Sequence, residues 1–96
     1  MARVSLFFVI SLTIAVSVYI SISLLETSEF QELISHGDKA IQENKISLAI
    51  EHFSGALALN GQSMVAYLKR GAAYKVGGDL NAALRDTTIA CLLYTS

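Results

Sequence analysis

Proline is missing from this 96-residue chain, cysteine occurs once, and the acidic and basic side chains nearly cancel. Without proline, and with charge mixed among Ala and Leu, the segment beyond the first quarter lacks the composition of a disordered chain. One cysteine excludes an internal disulfide framework. A formal net charge of −1 gives no electrostatic footprint for nucleic acid, so no nucleic-acid partner is expected. Sites for chemistry are equally scarce. Two histidines, His36 and His52, stand sixteen residues apart with no cysteine near them, which is not a zinc spacing. Cys91 has no CxxC partner and reads as a buried structural thiol. Lys69-Arg70 reads as a solvated dipeptide, and Asn60-Gly61 and Gly77-Gly78 read as turns without the Lys-Ser/Thr of a phosphate loop. No nucleophile–base pair and no paired carboxylates present themselves, so neither catalysis nor a cofactor or metal is expected.

What the chain does have is a long apolar run. Residues 4–25 carry no charge, and every charged side chain but Arg3 lies beyond them. The order is a short positive start, an apolar stretch, then small residues at Ser21 and Ser23, as in a secretory signal peptide cleaved after Ser23. The same run, at about 33 Å as a helix, also reads as an uncleaved signal anchor. Membrane contact is expected only in that second case. Arg3 before the run and Glu26, Glu29 and Glu32 after it place the following domain in the secretory lumen under either reading. The three glutamates also suit a helix N-terminus. No retrieval signal of Lys-Asp-Glu-Leu type and no N-x-Ser/Thr acceptor are found.

The rest of the chain repeats itself. Aligning 30–63 with 64–96 at an offset of 34 sets Leu33 on Tyr67, Gly37 on Gly71, Ala49-Ile50 on Ala83-Leu84, Ala56 on Ala90 and Leu59 on Leu93. Each unit reads as two amphipathic helices. The first runs from about Glu29 to Glu43, opened by Ser28 and Gln31 as a capping box, with Phe30, Leu33, Ile34, Gly37 and Ile41 on one face. Asn44 suits a left-handed turn. The second helix runs from about Ile46 to Leu59, with Ala49, Ile50, Phe53, Ala56 and Leu57 inward. In the second unit the helices run from about Met64 to Val76 and Leu80 to Leu93, with Tyr67, Leu68, Gly71 and Tyr74 inward. Asp79 is placed to cap the last helix. A glycine costs about 1 kcal/mol in a helix interior relative to alanine. Gly37 and Gly71, kept at the same register, therefore mark places where a neighbouring helix leaves no room for a Cβ.

These positions resemble the tetratricopeptide repeat. Its pattern of a large residue, then Leu-Gly, an aromatic, a mid-repeat Ala, an aromatic and another Ala falls on Leu33, Gly37, Ala40, Ala49, Phe53 and Ala56. In the second copy it falls on Tyr67, Gly71, Tyr74, Ala83, Thr87 and Ala90. His36 and Arg70 depart from it in the usual Leu slot, Thr87 replaces an aromatic, and Gly61 and Thr95 stand where proline is common. The expected fold is all-α: tandem helical hairpins at the start of an α-solenoid, after an N-terminal apolar helix or signal segment. The expected divisions are 1–23 (signal peptide or anchor), 24–29 (acidic linker and helix start), 30–63 (first repeat) and 64–96 (second repeat). Such repeats need stacking neighbours and a polar cap, so the chain is expected to be part of a longer array.

The leader followed at once by repeats, with the run from Ala66 to Thr87, resembles the ER-lumenal J-domain co-chaperones. That resemblance implies an array that binds unfolded or misfolded protein segments, with a lumenal Hsp70 recruited through regions beyond this chain. It also implies that the first helix of each hairpin lines a concave groove, at Gln31, Ile34, Asp38 and Ile41, then Val65, Leu68, Ala72 and Lys75. Ile34, Ile41, Val65, Leu68 and Ala72 are the candidate client contacts, since five apolar positions of eight suit an apolar ligand. Ile34 and Asp38 stand where a clamp for a C-terminal carboxylate would need donors, which argues against that use of the groove. The competing expectation is a membrane-anchored scaffold that docks one folded partner.

Overall fold

The computed structural model describes the backbone of residues 2–96 and the side chains of residues 6–22 and 28–96. Four helices account for nearly all of it: α1 Ala2–Gln42, α2 Ile46–Leu59, α3 Met64–Val76 and α4 Leu80–Thr95. The described residues include no strand. Each helix packs on the next in sequence, α1 on α2, α2 on α3 and α3 on α4. The extents of 69 × 31 × 14 Å are set by α1, whose 41 residues make a rod longer than the rest of the molecule is wide.

The expected helix start at Glu29 is not there. The helix runs unbroken through Ser28, so the Ser28–Gln31 capping box does not form and Glu29 and Glu32 have no helix N-terminus to stabilise. The reason is local. No proline occurs anywhere and no glycine before Gly37, so a helix nucleated in the apolar run has nothing to stop it. The apolar segment is thus the first half of α1 and not an element of its own. From Leu6 to Ile22 every side chain is exposed, Phe7, Phe8 and Tyr19 by more than 70%. Thr13 donates to the Val9 carbonyl (2.7 Å) and Ser21 to the Ser17 carbonyl (3.0 Å), which satisfies their hydroxyls within the helix. Among the described residues no helix is long and apolar enough to cross a membrane. The cleavage point after Ser23, Glu26, and both ends of the run 4–25 fall outside the described side chains.

The turns carry the chemistry that ends helices. Asn44 sits at φ 60°, a left-handed position that asparagine tolerates, and the Lys45 amide then donates back to the Ala40 carbonyl (2.8 Å). Ser63 caps α3 by accepting from the Ala66 amide, and Asp79 caps α4 by accepting from the Ala82 amide. Gly78, at φ +89°, makes the turn between them.

Packing is tight because the contact residues are small. Ala40, Ala49, Ala56, Ala66, Ala73 and Ala90 are all at most 2% exposed. Among the described residues Phe53 is the one large apolar side chain buried as deeply, worth about 1.5–3 kcal/mol of transfer free energy. Gly37 lies under its ring. A Cβ built at Gly37 would overlap the Phe53 ring at Cε1. A Cβ at Gly71 would sit 3.2 Å from Thr87 Oγ1 and 3.4 Å from the Ala83 carbonyl. Phe53 and Thr87 are themselves 34 residues apart. Each hairpin therefore has a close helix approach at the same register, glycine against the same slot of the partner helix.

Candidate peptide groove

The ends of α1 and α3 lie side by side with α2 behind them. Between them runs an open groove of about 390 Å³, walled by Asp38, Ile41 and Gln42 of α1 and Lys69, Ala72 and Val76 of α3, with Phe53 at its floor. Lys69 Nζ donates to both Asp38 carboxylate oxygens, at 2.9 and 3.1 Å. The pair is more than one-third exposed on each side, so it contributes little stability, typically about 0.2–1 kcal/mol. Its effect on the groove is larger, because the cation and the anion lining it cancel each other and the remaining wall is mostly apolar.

The five candidate contacts divide among different surroundings. Ile41 and Ala72 line the groove. Ile34 does not: it is 8% exposed and belongs to the core cluster with Phe53, Ala56 and Ala66, which corrects its reading as a ligand contact. Its position in α1 faces α2 and α3 before it can face a ligand. Leu68, 44% exposed, walls a second hollow of about 400 Å³ between α3 and α4, with Met64, Ala90, Cys91, Tyr94 and Thr95. Val65 is half exposed on α3 and lines neither hollow. The expected packing residues occupy the helix interfaces. Gly37, Ala49, Phe53, Ala56, Gly71, Ala83 and Ala90 are buried, and Leu33, Tyr67 and Tyr74 are partly buried.

Two further expectations are corrected. Cys91 is exposed, in the wall of the open hollow between α3 and α4 rather than in the core. Arg70 is not solvated. Its Nε and Nη2 donate to the two oxygens of Asp86 at 2.7 and 2.9 Å, and Nη1 donates to Ser54 Oγ at 3.1 Å. Asp86 is fully buried and the Arg70 side chain is 18% exposed. The guanidinium also lies 5.6 Å from the Tyr67 ring centre and 5.9 Å from that of Tyr74. Hydrogen bonding to Asp86, more than the carboxylate's simple charge attraction, raises the Arg70 pKa against an opposing desolvation. This bidentate pair joins α3 to α4 and, through Ser54, to α2. The sequence held a signal for it. Asp86 falls on the stripe of Ala83 and Ala90, a buried register where a carboxylate needs a cation.

At the equivalent place in the first hairpin, 34 residues earlier, stand His36 and His52. Their rings face each other across α1 and α2 with centres 5.4 Å apart and planes tilted by 59°. Among the described residues, no three or more His, Cys, Asp or Glu side chains converge as a metal-binding group.

The chain matches no protein-family model, no curated protein and no solved structure. Its functional reading therefore rests on these surfaces and on the 34-residue repetition.

Proposed function

We propose that this chain is a protein-binding module of tetratricopeptide type, and that the groove between α1 and α3 takes extended apolar segments of unfolded or misfolded proteins. The observation that carries the reading is the groove's wall: Ile41, Ala72, Val76 and Phe53 around one self-neutralised ion pair, Asp38–Lys69. Such a surface rewards apolar burial and offers no unpaired charge to select a charged ligand. One or two buried side chains supply about 1.5–3 kcal/mol each before the cost of ordering the ligand. A single groove of this size binds weakly, and useful affinity needs several grooves acting on one client. That fits a stacked array, and the repetition of the Gly37–Phe53 contact at Gly71–Thr87 supports stacked hairpins.

The setting we propose is the ER lumen, reached by the uncharged run 4–25 as a signal segment. There the module serves as the client-binding part of a co-chaperone, with a lumenal Hsp70 engaged through regions outside these residues. The N-terminal mass of the protein recovered from secretory membranes tests the leader. A chain beginning near Leu24 supports a cleaved signal, and an intact Met1 or Ala2 supports the anchored scaffold.

The groove is tested by Ala72→Arg, which sets a large charge on an exposed groove position without disturbing the core. Titration with a reduced, permanently unfolded model protein, followed by fluorescence anisotropy, should show binding by the unaltered chain and its loss in the variant. Leu68→Glu, which alters the hollow between α3 and α4, should leave binding in place. Equal binding by the unaltered chain and Ala72→Arg removes the groove from consideration.

A further inference from the structure

The rung that joins the two helices of each hairpin differs in kind between the copies. Arg70 and Asp86 form an ion pair, whereas His36 and His52, at the same register, are two imidazole rings set against each other. We propose that His36 and His52 form a binding site for a divalent transition-metal ion, which locks α1 to α2 as the ion pair locks α3 to α4. At metal–nitrogen distances of about 2.0–2.1 Å, two imidazoles on one tetrahedral ion place their ring centres about 5.3 Å apart. Here the centres stand at 5.4 Å, and the rings are fanned by 59° rather than stacked face to face. His36 is exposed and His52 is half-buried, so an ion can enter from solvent and water can fill its remaining positions.

The surrounding charges favour a cation on one side. His36 borders a hollow lined by Glu29 and Glu32, and Glu32 lies one helical turn before it on α1. On the other side stand Lys39, Glu43 and Lys45, where Lys45 and Glu43 pair at 3.2 Å. Lys39 and Lys45 both oppose an ion on that side, and Glu43 offsets Lys45. Imidazole donors select Zn²⁺, Ni²⁺ or Cu²⁺ over Mg²⁺ or Ca²⁺.

The test uses the full chain in a non-ionic detergent, with Zn²⁺ alone as the probe and Mg²⁺ as the control. Isothermal titration should show one saturable Zn²⁺ site at pH 7.5. His36→Gln and His52→Gln should each weaken it by about tenfold or more, since neither imidazole alone makes a chelate. Zn²⁺ should also raise the thermal midpoint of the unaltered chain, and EDTA should reverse the rise. In the unaltered chain, the imidazole ¹⁵N resonances of both histidines should shift together on adding Zn²⁺, a readout that needs no variant to fold. The proposal is overturned if the two resonances do not shift together, if either variant binds Zn²⁺ as the unaltered chain does, or if Mg²⁺ produces the same response.

Discussion

Replacing Arg70 by methionine tests the energetics of the second hairpin most sharply. The substitution keeps much of the side chain's apolar length and removes both hydrogen bonds to Asp86 and the one to Ser54. It leaves a carboxylate with no exposed surface and no bidentate partner; Arg85 Nε, at 3.9 Å, is a distant and largely exposed substitute. Orphaning one member of a buried pair costs about 3–5 kcal/mol. Total stability of a small domain is about 5–15 kcal/mol, and two hairpins sit at the low end. Arg70→Met should therefore remove most of the cooperative unfolding transition, followed by circular dichroism at 222 nm in urea. Asp86→Leu should cost a comparable amount, because it strands the guanidinium among Tyr67 and Tyr74. The double variant Arg70→Met/Asp86→Leu should recover to within about 1 kcal/mol of the unaltered chain, or exceed it, since apolar replacement of a whole buried pair is commonly neutral or stabilising. A loss below about 1 kcal/mol in Arg70→Met would refute the reasoning, as would a double variant that loses the sum of the two single costs.

Other outcomes follow from particular contacts. Gly37→Ala should destabilise by about 1–3 kcal/mol in the same urea assay, because the Phe53 ring must move, whereas Gly71→Ala, whose nearest neighbour is 3.2 Å away, should fall within about 1 kcal/mol of neutral as helix propensity offsets the crowding. Adding Phe53→Leu to Gly37→Ala should relieve part of the overlap, and a double variant no better than additive would contradict the contact. Asp38→Asn should change stability by less than about 1 kcal/mol, given the exposure of its pair with Lys69. Cys91 should react with a thiol reagent in the native protein as fast as in urea, and protection in the native state would contradict its exposure. Raising a basic group's pKa on folding adds stability that is present below the unfolded value and lost as pH rises through the folded one. For Arg70 both lie at or above the ordinary arginine range, so its share of stability should stay constant from about pH 5 to about pH 9, checked by urea midpoints of Arg70→Met against the unaltered chain.

Most helix boundaries were legible in the sequence because the features that set them are local. Asn44 follows the end of α1, Gly78 follows that of α3, and Asp79 caps α4, each acting within a few residues of itself. The close approaches at Gly37 and Gly71 were legible because a glycine kept at one register of two copies has few other reasons to be there. The start of the first helix was not. A capping box is a signal only where the chain enters from a non-helical segment, and here a helix already ran through Ser28. The groove was half legible. Periodicity assigns a face, but Ile34 and Leu68 lie at its edges, where the depth of the neighbouring helix decides between core and surface. The Arg70–Asp86 pair was hidden by reading Lys69-Arg70 as a unit, although adjacent helical residues point about 100° apart and meet different neighbours.

The most direct measurement is a residue-resolved footprint of an unfolded client on the full chain, by backbone amide chemical-shift perturbation. Perturbations centred on Ile41, Ala72 and Val76 are predicted, with α4 residues Leu84 and Leu92 unmoved. Perturbations confined to the outer face of α4, or none at a client concentration that saturates binding, would contradict a ligand groove between α1 and α3.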